Sequence, residues 1–237
     1  MLPGFSVAIP AYNEAARIGA SVRATLDYLA TEFPDAELVV VNDGSTDATS
    51  TIVRETLKDA KIQTQFLENF PNRGKGAAVR SGLLAATRPI GLFFDADLST
   101  PLSEIPKVIG PLANGDVDLA FGSRALDRKL IGIHQPWRRE QAGRVFNFIV
   151  RLATGMPFWD TQCGFKAFRL DVCRPILKEA QVSGFAFDVE LLFCAWRAGL
   201  RLREVPVRWN HAEGSKVRVI HDSLAMLREV IALRMSR

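Results

Sequence analysis

Two runs of the chain, Glu37-Leu-Val-Val-Val41 and Gly91-Leu-Phe-Phe94, are apolar with no polar alternation. A strand with one wet face alternates hydrophobic and polar residues, so such runs belong to strands covered on both faces. Doubly covered strands are typically parallel, and parallel strands need a crossover of about a dozen residues, usually a helix. The first half of the chain supplies those crossovers. Phe5–Pro10 reads as a strand, Glu14–Ala30 as a helix and Ala36–Asn42 as a strand. A turn at Asp43-Gly44-Ser45 leads to a helix ending near Ala60, then a strand at Ile62–Leu67 and a helix from about Lys75 to Ala86. Ile90–Phe94 is a strand, Leu102–Leu112 a helix and Val117–Phe121 a strand. This repetition predicts an α/β fold: a mostly parallel, doubly wound sheet with helices on both faces and right-handed crossovers. Ligands of such sheets collect at the carboxyl ends of the strands.

After Arg124 the pattern loosens. A loop through His134-Gln-Pro leads to a helix at about Arg138–Ala153; Gly164–Leu170 reads as a strand, Phe187–Ala198 as a helix and Leu202–Trp209 as a strand. A loop at Asn210–Lys216 precedes a terminal helix. Without a composition break, linker or repeat, one domain is expected over residues 1–216. Residues 217–237 form an amphipathic helix that is either part of that domain or a membrane-surface element. On that helix Ile220, Leu224, Leu227 and Ile231 make one apolar stripe, widened by Val230 and Leu233.

Composition narrows the classes. Hydrophobic residues at 48% and charged residues at 24% exclude a disordered or collagen-like chain. The net charge of +4 is concentrated at the end, where residues 197–237 hold nine Lys/Arg against four Asp/Glu. No nucleic-acid partner is expected; the basic end suits anionic lipid better. Cys163, Cys173 and Cys194 lack metal-type spacing and fit a reduced, cytosolic chain. The start has no charged leader, and no stretch approaches the ~18 apolar residues of a spanning helix. Contact with a membrane is therefore expected at its cytoplasmic face, as a peripheral protein.

Asp95-Ala96-Asp97 follows the apolar strand ending at Phe94. Where the strand breaks into a turn, both carboxylates can converge on one cation, and hard oxygen ligands suit Mg²⁺ or Mn²⁺. The plain alternative is a solvated loop or a helix cap. Polar clusters also follow the first strand (Pro10-Ala-Tyr-Asn-Glu14) and the second (Asn42-Asp-Gly-Ser-Thr-Asp47), where Asn13 and Ser45 are alternatively helix N-caps and Asp43-Gly44 a turn. Asn72-Arg-Gly-Lys-Gly76 opens a helix but has neither the P-loop spacing nor G-x-G-x-x-G, which argues against an NTPase or a dinucleotide enzyme.

Taken in order, Ser6-Val-Ala-Ile-Pro-Ala-Tyr-Asn-Glu14, Val41-Asn-Asp-Gly-Ser-Thr-Asp47, Asn72-Arg-Gly-Lys-Gly76 and Asp95-Ala-Asp97 resemble the family 2 glycosyltransferases of the GT-A fold. Gly122-Ser-Arg124, Asp160-Thr-Gln-Cys-Gly-Phe-Lys166, Phe185-Ala-Phe-Asp-Val-Glu190 and Glu213-Gly-Ser-Lys216 are similar to the dolichyl-phosphate β-glucosyltransferases, with the dolichyl-phosphate mannosyltransferases as the next cousin. The resemblance implies an inverting transfer of glucose from UDP-glucose to a polyprenyl monophosphate. The alternatives are another nucleotide sugar (GDP-mannose or a different UDP-hexose) or a soluble saccharide acceptor, with Asp160 or Asp188 as base.

The resemblance also implies roles. Pro10, Tyr12, Glu14 and Asp43 hold the uracil and ribose, with Lys75 near the same nucleotide. Asp95 and Asp97 reach the diphosphate through Mg²⁺ or Mn²⁺. Arg124 and Arg139 grip the acceptor phosphate, so that Asp97, Arg124 and Arg139 form the catalytic set. Lys216 and Arg218 contact donor phosphates as their loop closes, and Gln162, Asp188 and Glu190 line the sugar pocket. Helix geometry qualifies the last pair: residues two apart on one helix point about 200° apart, so one of the two carboxylates is structural. Cys163 reads as a small packing residue, and His134, His211 and His221 as surface or loop residues.

Overall fold

Both apolar runs become interior strands. In the computed structural model, which describes residues 2–212, 226, 228–230 and 232–234, β2 (Glu37–Asp43) and β4 (Ile90–Phe94) flank β1 (Phe5–Ala11), each parallel to it. Every residue of β2 and β4 is buried. Side chains alternate across the sheet, so Phe5, Val7 and Ile9 enter one core and Ala8 the other.

The first core lies under α1 (Ile18–Glu32), α2 (Thr49–Leu57) and α4 (Ile105–Ala113). The second lies under α3 (Lys75–Ala85), α5 (Trp137–Thr154), α6 (Leu170–Glu179) and α7 (Phe187–Arg197). With β3 (Gln63–Asn69), β5 (Leu119–Ser123), β7 (Phe165–Arg169) and β8 (Leu202–Pro206), the seven-stranded sheet has the order β3-β2-β1-β4-β7-β5-β8. The carboxyl ends of β1, β2 and β4 open on one rim.

The second half departs from the sequence reading in three places. β7 runs antiparallel to both β4 and β5, a direction set by tertiary placement, since a strand buried on both faces has the same composition either way. Leu202–Trp209 divides: β8 stays in the sheet, while β9 (Trp209–Asn210) leaves it to pair with β6 (Ile131–Ile133). The break follows Pro206, which has no N–H to donate, and the Arg208 N–H turns to Glu104 Oε2 at 3.2 Å. Helix α6 fills a stretch to which the sequence reading assigns no element; Pro175 inside it reads as a helix breaker.

At the C-terminus, residues 226, 228–230 and 232–234 are helical. Met226, Val230 and Leu233 are buried there, with Met226 and Val230 in the second core. Ile220, Leu224, Leu227 and Ile231 lie outside the described residues. No helix among those described is long and apolar enough to cross a membrane.

Candidate active site

The loops after β1 and β2 are tied to each other rather than capping their helices. The Asn13 N–H donates to Ser45 Oγ at 2.8 Å, and Asn13 Oδ1 accepts from the Thr46 N–H at 2.8 Å. The Glu14 N–H donates to Thr49 Oγ1 at 2.8 Å. Pro10 and Tyr12 stand at this edge, Tyr12 exposed, and the Glu14 carboxylate pairs with Arg17 at 2.6 Å. Asp43, buried at the end of β2, accepts from Asn69 Nδ2 at 2.9 Å and from the Gly74 N–H at 2.8 Å. It thereby fastens the loop that opens α3. Gly74 sits at φ +94°, which an L side chain rarely adopts, so the glycine is a backbone requirement.

That loop delivers Lys75 to the end of β4. Lys75 Nζ lies 2.6 Å from Asp95 Oδ1, and although burial alone would lower its pKa, Asp95 and Asp188 raise it. Below this pair Lys166 is fully buried, donating to the Cys163 carbonyl at 2.6 Å and pairing with Asp188 Oδ1 at 2.6 Å. Burial pushes the Asp188 pKa up, and Lys166 and Lys75 offset part of that. Two cations and two carboxylates therefore alternate beneath the strand end. Glu190, two residues on, turns away and accepts from the N–H groups of Gln181 and Val182 at 2.9 and 2.8 Å. Of the two carboxylates on α7, Asp188 faces the site and Glu190 holds a loop.

Asp95 and Asp97 flank the buried Ala96 and are themselves partly exposed. Asp97 Oδ1 accepts from the Ser99 N–H at 2.9 Å, and Leu98 takes φ +50° as the chain turns sharply. Asp95 Oδ1 is buried and is met by the Lys75 ammonium at 2.6 Å. Two carboxylates at one strand end have the hard-oxygen donor chemistry for Mg²⁺ or Mn²⁺. Among the described residues no group of three Asp, Glu, His or Cys side chains gathers as a metal cage, so further ligands there would be substrate and water oxygens.

Next to this rim lies a cleft of about 550 Å³ lined by Arg124, Arg128, Arg139, Arg144, Arg151 and Trp209, among others. Arg124 is locked: its Nε and Nη2 donate to the two oxygens of Asp160 at 2.7 and 2.8 Å, and it stacks over Trp209. Burial alone would raise the Asp160 pKa, but the charge and hydrogen bonds of Arg124 hold it down at about 2. Arg139 is half-buried on α5. Gln162 lies between the cleft and the C-terminal helix, its side-chain amide 4.0 Å from Met226 Sδ.

The structure thus brings Lys75, Asp95, Asp97 and Asp188 to one strand end, Arg124, Arg139 and Asp160 to the neighbouring cleft, and Pro10, Tyr12, Glu14 and Asp43 to the other side of the rim. Lys216 and Arg218 lie outside the described residues, as does His221. His134 pairs with Glu140 at 3.1 Å, and the His211 N–H donates to the Ile133 carbonyl. The Cys163 thiol is buried and its pKa pushed up to about 12, too high for a nucleophile. Sequence reasoning gave no role to Lys166, Arg128, Arg151 or Trp209. Lys166 had a signal: a lysine in the apolar strand Phe165-Lys-Ala-Phe168 must be buried and paired.

Comparison with known proteins agrees with this geometry. The family described as Glycosyl transferase family 2 matches residues 6–177. A dolichyl-phosphate beta-glucosyltransferase of Drosophila melanogaster is 35% identical over 96% of this chain and 73% of its own length. That of Saccharomyces cerevisiae is 32% identical over 98% of this chain and 74% of its own. Among solved structures, glucosyl-3-phosphoglycerate synthase from Mycobacterium tuberculosis, in complex with Mn²⁺, UDP and glucosyl-3-phosphoglycerate, superposes with a TM-score of 0.69 at 24% identity, covering 99% of this chain and 79% of that one. The fold is GT-A, and the chain is a glycosyltransferase that belongs to family 2.

Proposed function

We propose that this enzyme moves glucose from UDP-glucose to a polyprenyl monophosphate, inverting the anomeric carbon to give a β-glucosyl phosphopolyprenol. The relatives named above support the glucosyl and polyprenyl-phosphate parts, and the UDP and Mn²⁺ bound by the mycobacterial synthase support a UDP-sugar donor and a divalent cation. The observation that carries the reading is the arginine-lined cleft beside the Asp95/Asp97 strand end, which offers several cations for a phosphate.

A phosphate monoester has a second pKa of about 6, so near neutral pH its oxygen needs no deprotonation. In the proposed step that oxygen attacks the anomeric carbon as the bond to UDP breaks, and the bonding pair leaves on UDP. A saccharide hydroxyl would need a base. Asp160 is held near 2 by Arg124, and Asp188 is buried against Lys166, so neither carboxylate is suited to that work. Arg124 and Arg139 hold and orient the acceptor phosphate; Asp160 engages Nε and Nη2 of Arg124, which leaves Nη1 for the ligand. Asp95 and Asp97 hold the cation, which when bound supplies Lewis-acid stabilisation to the departing diphosphate. Lys75 orients Asp95, Lys216 and Arg218 meet the donor phosphates, and Gln162 meets the sugar. Pro10, Tyr12 and Glu14 bind the uridine, and Asp43 contributes by holding the loop before Lys75 as well as by contact.

The test is turnover by the purified chain with Mn²⁺, UDP-glucose and a short-chain polyprenyl monophosphate. Release of UDP with a β-configured glucosyl phosphate in the proton NMR spectrum is the expected result. UDP release with free saccharides but not with phosphates, or a preference for GDP-mannose, would overturn the assignment.

A further inference from the structure

Five of the nine exposed large hydrophobic side chains among the described residues lie on one patch: Trp137, Val145, Phe148 and Leu152 of α5, and Trp159 just beyond it. They are between 54% and 73% exposed, values that belong to residues projecting into solvent. At about 100° per residue the four on α5 fall within an arc of about 80°. The buried residues of the same helix, Phe146, Asn147, Val150 and Thr154, occupy the opposite side. Helix α5 is therefore amphipathic in two directions, with one apolar face in the core and a second turned outward.

We infer that this outward face of α5, together with Trp159, is where the chain sits on an anionic lipid bilayer. The flanks carry the matching charge. Helix α5 has four arginines, at 138, 139, 144 and 151, against one acid, Glu140, which is already paired with Arg128 and His134. Arg151 stacks on Trp159, its guanidinium carbon 3.7 Å from the ring centre, so cation and aromatic present together. Apolar and tryptophan side chains bordered by arginines form the composition of an interfacial helix, with rings at the headgroup level and guanidinium groups on lipid phosphates.

Continuity with the cleft selects this occupant over a protein. Arg144, Val145, Phe148, Arg151 and Trp159 line the arginine cleft as well as the patch. An acceptor phosphate seated on the arginines thus has an unbroken apolar path along α5 for its chain, and a bilayer on that face brings lipid phosphate to the cleft mouth. Of the C-terminal helix, for which the sequence leaves both core packing and membrane contact open, Met226, Val230 and Leu233 are buried in the protein interior. The inference rests on the polyprenyl-phosphate reading for its purpose, though not for its physics.

The experiment is flotation of the full chain with vesicles of phosphatidylcholine, alone or doped with phosphatidylglycerol, all lacking polyprenyl phosphate. Wild-type protein is expected to float with the anionic vesicles, less so in high salt. The double variant Trp137→Ser/Leu152→Ser is expected to lose binding by about tenfold or more, since each side chain withdraws its area from the lipid. Neither residue lines the cleft, so its melting temperature and its turnover of a short, water-soluble acceptor phosphate should match wild type. Wild-type protein left at the bottom of the gradient, or a double variant that floats equally well, overturns the inference. So does a light-scattering mass that falls from dimer to monomer in the variant while flotation is unchanged, which would give the face to a second copy. Flotation without any use of polyprenyl phosphate would sink the functional reading alone, and turnover in detergent without flotation would sink this one alone.

Discussion

Gly164 is the position where one methyl group tests the site. An added Cβ would stand 2.7 Å from Asp95 Cγ and 2.9 Å from Oδ1, and closer still to Oδ2. Carbon atoms in contact prefer about 3.5 Å, so the carboxylate must retreat by roughly 0.8 Å. Retreat is constrained by Lys75, 2.6 Å away on α3. Displacements near 1 Å in a reacting geometry cost about 100-fold in rate, equivalent to about 2.7 kcal/mol of transition-state stabilisation. Gly164→Ala should therefore lower kcat/KM about 100-fold and weaken Mn²⁺ binding, read by titration calorimetry. The backbone tolerates alanine, because φ at Gly164 lies outside the left-handed region, so the fold should survive. A folded Gly164→Ala enzyme with wild-type kinetics and Mn²⁺ affinity would refute the claim that Asp95 must stand where it does.

The remaining expectations are independent of that one. Arg124→Lys keeps the charge but loses the fork that Asp160 holds, and should raise KM for the acceptor about tenfold while KM for the donor stays constant; equal changes in both would remove Arg124 from the acceptor site. Lys166→Met leaves Asp188 buried without its partner and should cost about 3–5 kcal/mol in urea unfolding, with Lys166→Met/Asp188→Asn recovering part of it; additive losses would show that the pair is not coupled. Asp160 titrates at about 2 in the folded protein against a reference value of 3.8, so its contribution is complete above that reference and disappears as pH falls between about 4 and 2. The urea midpoint should drop through that window, and an Asp160→Asn variant should lose less of its stability there.

The legible parts of the fold were those that local pattern controls. Val39–Val41 and Leu92–Phe94 announce buried parallel strands, and once they stand in a wound sheet, Asp95 and Asp97 must lie on the ligand rim. What stayed hidden depends on long-range pairing. Nothing near Arg124 reveals that Asp160, thirty-six residues on, will grip it, or that β7 enters the sheet from the opposite end. Asn13 and Ser45 look like helix caps because caps use the same hydroxyl and amide groups; the structure spends them on bonds between loops. Lys166 is the instructive omission, because an unpaired charge inside an apolar strand is too costly to be incidental.

In the proposed mechanism the carboxyl end of β4 holds the cation that meets the leaving diphosphate. Anomalous diffraction from crystals grown with Mn²⁺ and UDP addresses it directly. One manganese peak is expected, in contact with carboxylate oxygens of both Asp95 and Asp97 and with diphosphate oxygens. A peak elsewhere, with both side chains turned to solvent while UDP is bound, would contradict it.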